Sequence, residues 1–205
     1  MEDRRKVGGL IGYHGLSDWW LDTFTEEERT YILWRVRTMR AGPKALIEGD
    51  FSWMAKYPGS GPDAVSSFLN NLAFWLRRDN SIARRIAIKS YEHAETVEDI
   101  CSALGWLIRL YYQVRNSVPE ANDVVIKSCK HLIALAPLLA NQQRKKYPYI
   151  KLGKNEGYSR YVIILEKQRD YSEAIRLCEE AKNMGWVGDW DTRINRCKKR
   201  LAGQK

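Results

Sequence analysis

Proline and histidine are both scarce in this chain: 205 residues hold 6 prolines and 3 histidines. So little proline, with no run of alternating apolar and polar residues, argues against an all-β fold. No apolar run approaches the roughly 18 residues that a membrane span needs. The opening stretch, MEDRRKVGGLIGYHGLSDWW, has an early charge cluster but no apolar core of about 7–15 residues, so no secretory signal is expected. The 4 cysteines, Cys101, Cys129, Cys178 and Cys197, form no CxxC pair. Each falls on the apolar stripe of a predicted helix. That predicts buried, reduced thiols in a cytoplasmic protein, not a disulfide framework or a zinc site. His14, His93 and His131 lie far apart, with no second histidine or cysteine three or four residues away. Gly8, Gly9 and Gly12 lack the Lys-Ser/Thr of a phosphate loop, and Pro58 to Pro62 reads as a turn with no nucleophile elbow. These absences predict a non-catalytic protein without cofactor or metal.

What is present is apolar residues at helical spacing. Hydrophobic content of 44% with 29% charged residues is a globular composition. Residues 1–16 have no clear period and read as an arm or an irregular packing segment. Ser17 to Thr23 reads as a short helix presenting Trp19 and Trp20. Thr25 and Glu28 form a capping box that opens a helix to about Arg40, with Tyr31, Ile32, Val36 and Met39 on its stripe. Ala41-Gly42-Pro43 stops it, and residues 43–62 read as connector. Helices are then predicted from Asp63 to Arg78, from about Ser81 to Glu95, and from Thr96, capped with Asp99. Another opens at Ser117 to Glu120 and carries Val125, Cys129, Leu132, Ile133 and Ala136. It is expected to end a turn or two past Pro137, before a basic connector from Arg144 to Asn155. Asp189 caps a last helix with the stripe Trp190, Ile194, Cys197 and Leu201.

Charge is uneven. Residues 142–205 hold 16 Lys/Arg against 8 Asp/Glu, whereas residues 1–141 hold 18 against 17. This surplus suits either a solvated, solubilising end or an acidic or nucleic-acid partner. For nucleic acid the candidate contacts are Arg144, Lys145, Lys146, Lys151 and Lys154, interleaved with Tyr147 and Tyr149. Tryptophan is abundant, and Trp19, Trp20, Trp34 and Trp53 cluster in the first quarter. They serve either as core packing or as exposed anchors for a partner.

The stretch from Gly157 to Trp186 carries two apolar stripes flanking Arg169-Asp170. The first is Tyr158, Tyr161, Val162 and Leu165; the second is Tyr171, Ala174, Ile175, Cys178 and Ala181. A break of a residue or two forces an antiparallel helical hairpin. Tyr158, Tyr161, Ala174 and Ala181, with the turn Asp170 to Ile175, resemble a tetratricopeptide repeat. Val162 stands where that family has Gly, Leu165 where it has Tyr, Cys178 where it has Phe, and Trp186 where it has Pro. A weaker echo lies 55 residues earlier, laying Leu110 to Gln113 over Leu165 to Gln168. The expected fold is all-α: antiparallel helical hairpins stacked as a short tetratricopeptide-like solenoid over residues 61–205, after an atypical Trp-rich helical segment, 1–60. The resemblance implies a non-catalytic scaffold that docks a protein or peptide on a concave helical face. Candidate groove residues are Leu104, Ile108, Tyr111 and Tyr112 on one hairpin and Ser159, Ile163, Glu166 and Lys167 on the next. They form either an open groove or a face covered by another helix of the chain. The alternative partner is nucleic acid; no membrane partner is expected.

Overall fold

A computed structural model describes residues 7–38, 42–49 and 64–203. Expectations for Met39, the Ala41 stop, Trp53, residues 1–6 of the arm and the Pro58 to Pro62 turn fall outside these residues. All regular structure among them is helical, and none of the helices is long and apolar enough to cross a membrane. The chain divides into two compact units, Met1–Ala94 and Glu95–Lys205. The division expected after residue 60 falls inside the first.

The first unit contains α1 (Gly9–Tyr13), α2 (Ser17–Thr23), α3 (Glu26–Arg35), α4 (Gly42–Ile47), α5 (Val65–Trp75) and α6 (Asn80–Glu92). Two of these correct the sequence reading. Gly9 and Gly12 of the opening segment belong to a helix, α1, that packs on α4. Gly9 has φ of 61°, and a Cβ there would sit 2.6 Å from the backbone of Leu46 and Ile47, so only glycine allows the contact. The second helix, α4, occupies the start of the expected connector. Pro43 falls in its first turn, where a missing N–H costs nothing. Thr25 and Glu28 close the expected capping box on α3. Glu28 also pairs with Arg85 of α6, whose guanidinium donates to the Thr23 carbonyl at 2.8 Å and lies 4.9 Å from the Phe24 ring. Trp20 and Phe24 are buried, whereas Trp34 is half exposed and stacks on Tyr31.

The second unit is a run of five helices: α7 (Val97–Gln113), α8 (Ala121–Lys146), α9 (Glu156–Lys167), α10 (Tyr171–Asn183) and α11 (Trp190–Ala202). Each packs on the next, and α7 also touches α9. The hairpin break falls where expected. Arg169 takes a left-handed φ of 63°, and Asp170 caps α10 by accepting from Glu173 N at 3.2 Å. Thr96 and Asp99 cap α7 as a capping box. The expected cap at Ser117 to Glu120 does not form: α8 starts at Ala121 with no side-chain cap bond. It then runs 26 residues through Pro137 to Lys146. Proline removes one helical bond, but Ala136, Leu139 and Ala140 are buried and hold the far half in place. The supposed basic loop at Arg144 to Lys146 is therefore the last turn of a helix.

All four cysteines are free and buried. Burial pushes the Cys101 thiol up to about 11 and those of Cys129 and Cys178 to about 12, and raises Cys197. Burial first, then the bond to Glu180, likewise raises the Tyr158 phenol. The unfolded chain releases thiol protons from about pH 9, whereas the fold retains them to about pH 11–12. Stability contributed by these groups is complete below pH 9 and is lost as pH rises toward 12. Thermal melts as a function of pH should show a falling midpoint across that window; a midpoint unchanged up to pH 11 would contradict the buried thiols.

Candidate functional site

The second unit holds a cleft of about 460 Å³. Its floor is one face of α7, where Cys101, Ser102, Gly105, Trp106 and Arg109 recur at helical spacing. The floor is open at Gly105, where a Cβ would meet nothing within 4 Å. A mid-helix glycine costs about 1 kcal/mol relative to alanine, so this space comes at the expense of helix stability. One wall is the α8 half beyond Pro137, through Leu139, Gln143 and Lys146. The other is the connector into α9 together with Trp186. That connector is pinned at both ends. Val187 N donates to Gly153 O at 3.2 Å, and buried Asn155 caps α9 by accepting from Tyr158 N at 3.3 Å.

The charges of the cleft are paired within it. Glu156 takes Arg109 at 3.1 Å and Lys154 at 3.9 Å, and Glu98 takes Lys146 at 3.8 Å. Arg109 also lies 5.5 Å from the Trp106 ring. Two polar atoms of the wall have no hydrogen-bond partner among the described residues: Trp186 Nε1, a donor, and Glu156 Oε2, an acceptor. Trp186 is 4% exposed.

The expected groove takes a different form. Leu104, Ile108, Tyr111 and Ser159 are buried, Ile108 at 0% exposure, so they are core and not an open floor. The physical reason is that α7 packs against both α8 and α9, which encloses its apolar stripe. Helical spacing is the same for a core stripe and a docking stripe. Tyr112, Ile163, Glu166 and Lys167 reach the surface in varying degree. Lys167 Nζ donates to the Tyr112 hydroxyl at 3.4 Å. Arg115 and Arg160 place their guanidiniums 4.2 and 4.1 Å from the Tyr112 ring centroid. Burial opposes ionisation of that phenol, but the bond from Lys167 and the surrounding cations outweigh it and lower its pKa below the ordinary 10.0. Glu166, with 10% of its side chain exposed, joins α9 to α11. Arg196 grips it at 2.7 and 3.0 Å, and Arg193 and Arg200 stand at 3.3 and 4.0 Å.

Of the nucleic-acid candidates, three are engaged locally. Arg144 Nη2 donates to the Met184 carbonyl, Lys146 meets Glu98, and Lys154 meets Glu156. Lys145 and Lys151 are exposed. The cleft itself escaped the sequence reading, since its walls come together only through the packing of α7, α8 and the connector into α9. Gly105 inside a strong helix was the available signal. Among the described residues no group of three or more metal-ligating side chains exists. No family model, curated protein or solved structure matches this chain significantly.

Two outcomes follow from burial. Ile108→Asp places an unpaired charge in a sealed core, a cost of several kcal/mol, and should abolish the cooperative thermal transition. Glu166→Gln takes the anion from Arg196 and Arg200, leaves Arg193 with Asp189 alone, and should destabilise by about 2 kcal/mol. Urea unfolding would measure it, and no loss would mean the cluster does not hold α11.

Proposed function

We propose that the chain is a non-catalytic, tetratricopeptide-like scaffold that holds an extended segment of a partner protein in the α7–α8–α9 cleft. The observation that carries this reading is the open cleft itself, with α7 as its floor at Gly105 and the end of α8 and the connector into α9 as its walls. The cleft volume lies within the range of about 300–1,000 Å³ common for ligand sites. Trp106, Tyr147 and Trp186 supply the aromatic surface typical of interface anchors. Because the cations of the cleft already have carboxylates, its complement is an uncharged or apolar segment rather than an anion.

The repeat reading has its own support. The order of packing, each helix on the next with α7 also on α9, is the one that stacked hairpins produce. Tyr112 and Lys167, 55 residues apart and equivalent under the internal echo, touch each other.

Gly105→Leu tests the cleft. The new side chain fills open space and raises helix propensity by about 0.8 kcal/mol, so the melting temperature should hold or rise. Peptides enriched from a random display library on the purified protein should lose at least tenfold in affinity for the variant. Equal binding by the filled variant, or no enrichment at all, would overturn the reading.

A further inference from the structure

Cations on the outer side of α9 differ from those of the cleft in one respect. Among the described residues, none of Arg115, Arg160 and Lys167 is paired with a carboxylate. All three converge on Tyr112, within 4.2, 4.1 and 5.8 Å of its ring centroid. Arg160 Nε is also buried without a hydrogen-bond partner. Like charges held this close repel one another, and a bound anion relieves that repulsion. The cationic surface does not stop there. On the other flank of α9, Arg193, Arg196 and Arg200 gather on Glu166, with Asp189 the only further carboxylate paired to them among the described residues. Two groups of cations on the two flanks of one helix fit a chain of anions better than a single one.

We propose that the outer side of α9 binds the phosphodiester backbone of nucleic acid, with Arg115, Arg160 and Lys167 as its phosphate contacts. Guanidinium groups meet phosphate through parallel N–H bonds, which carboxylates elsewhere in this unit already exploit at Glu166. The Tyr112 ring has both guanidiniums close against it, so the cluster presents charge rather than a stacking platform. Nothing here reads a base edge, and the binding is therefore independent of sequence. An acidic protein partner fits less well. Protein interfaces centre on a desolvated apolar anchor, and on this side of α9 Ile163 lies among charged neighbours. The site is separate from the cleft, and Gly105→Leu leaves it intact, so either proposal can fail without the other.

Fluorescence anisotropy with a labelled oligouridylate, in single-stranded and duplexed form, tests the proposal. Each phosphate contact to a single strand adds about 0.7 to the slope of log affinity against log salt. With three such contacts, affinity should fall about 20-fold between about 50 and about 200 mM salt. The double variant Arg160→Gln, Lys167→Gln should lose about two-thirds of that slope and bind at least tenfold more weakly at about 50 mM. Its melting temperature should hold or rise, because repulsion is removed and no ion pair is lost. An excess of inorganic phosphate should compete poorly, and polyglutamate of equal charge should not displace the oligonucleotide. Absence of binding at low salt, an unchanged slope in the double variant, or displacement by polyglutamate would each overturn the proposal. The last would point to an acidic protein partner.

Discussion

Gly157 sits where α9 presses most closely on α8, and the geometry of the second unit depends on that approach. A Cβ at this position would lie 3.0 Å from the Cys129 carbonyl and 3.2 Å from Leu132 Cβ. With α9 seated this deeply, Tyr158 is fully buried, bonds Glu180 of α10, and meets Trp190 of α11 edge to face. The same seating brings Glu156 to Arg109 of α7 at one end of the helix and Lys167 to Tyr112 of α7 at the other. A larger residue at 157 would move all of these contacts together, because interiors are close-packed and cannot absorb a methyl group without shifts. One helix thus fixes both the wall of the cleft and the cationic outer side.

Local signals survived folding well. The turn at Arg169-Asp170, the capping boxes at Thr25 and Thr96, and the burial of all four cysteines follow from residue chemistry within a few positions. Readings that needed distant neighbours fared differently. Basic residues from Arg144 read locally as the start of a connector, but α8, held past Pro137 by buried Leu139 and Ala140, continues to Lys146. Glycine in the first sixteen residues signals irregularity, yet Gly9 serves a close helix contact that only the fold reveals. Leu104, Ile108 and Tyr111 keep the spacing of a docking stripe, and α8 and α9 together decide that they are core. Residues such as Tyr112 and Lys167 could be paired from the internal echo, but not Arg115 and Arg160, which join them only through side-chain reach.

The net charge of the last third takes on meaning only once its cations are sorted by partner. Those nearest the cleft are neutralised by Glu98 and Glu156, and those on α11 share Glu166. The exposed Glu98–Lys146 pair adds little stability, and each pairing lessens the electrostatic demand for an outside anion. The cluster at Tyr112 has no such partner, so its repulsion persists in the free protein and raises the free energy of that state. A polyanion bound as proposed would lower it, with the largest gain where cations were held together beforehand, since the cost of gathering them is met during folding. Composition alone assigns the same weight to every lysine and arginine of this region. The fold separates cations paired with carboxylates from those that are not, and Arg160 and Lys167, gathered with Arg115 on Tyr112, belong to the second group.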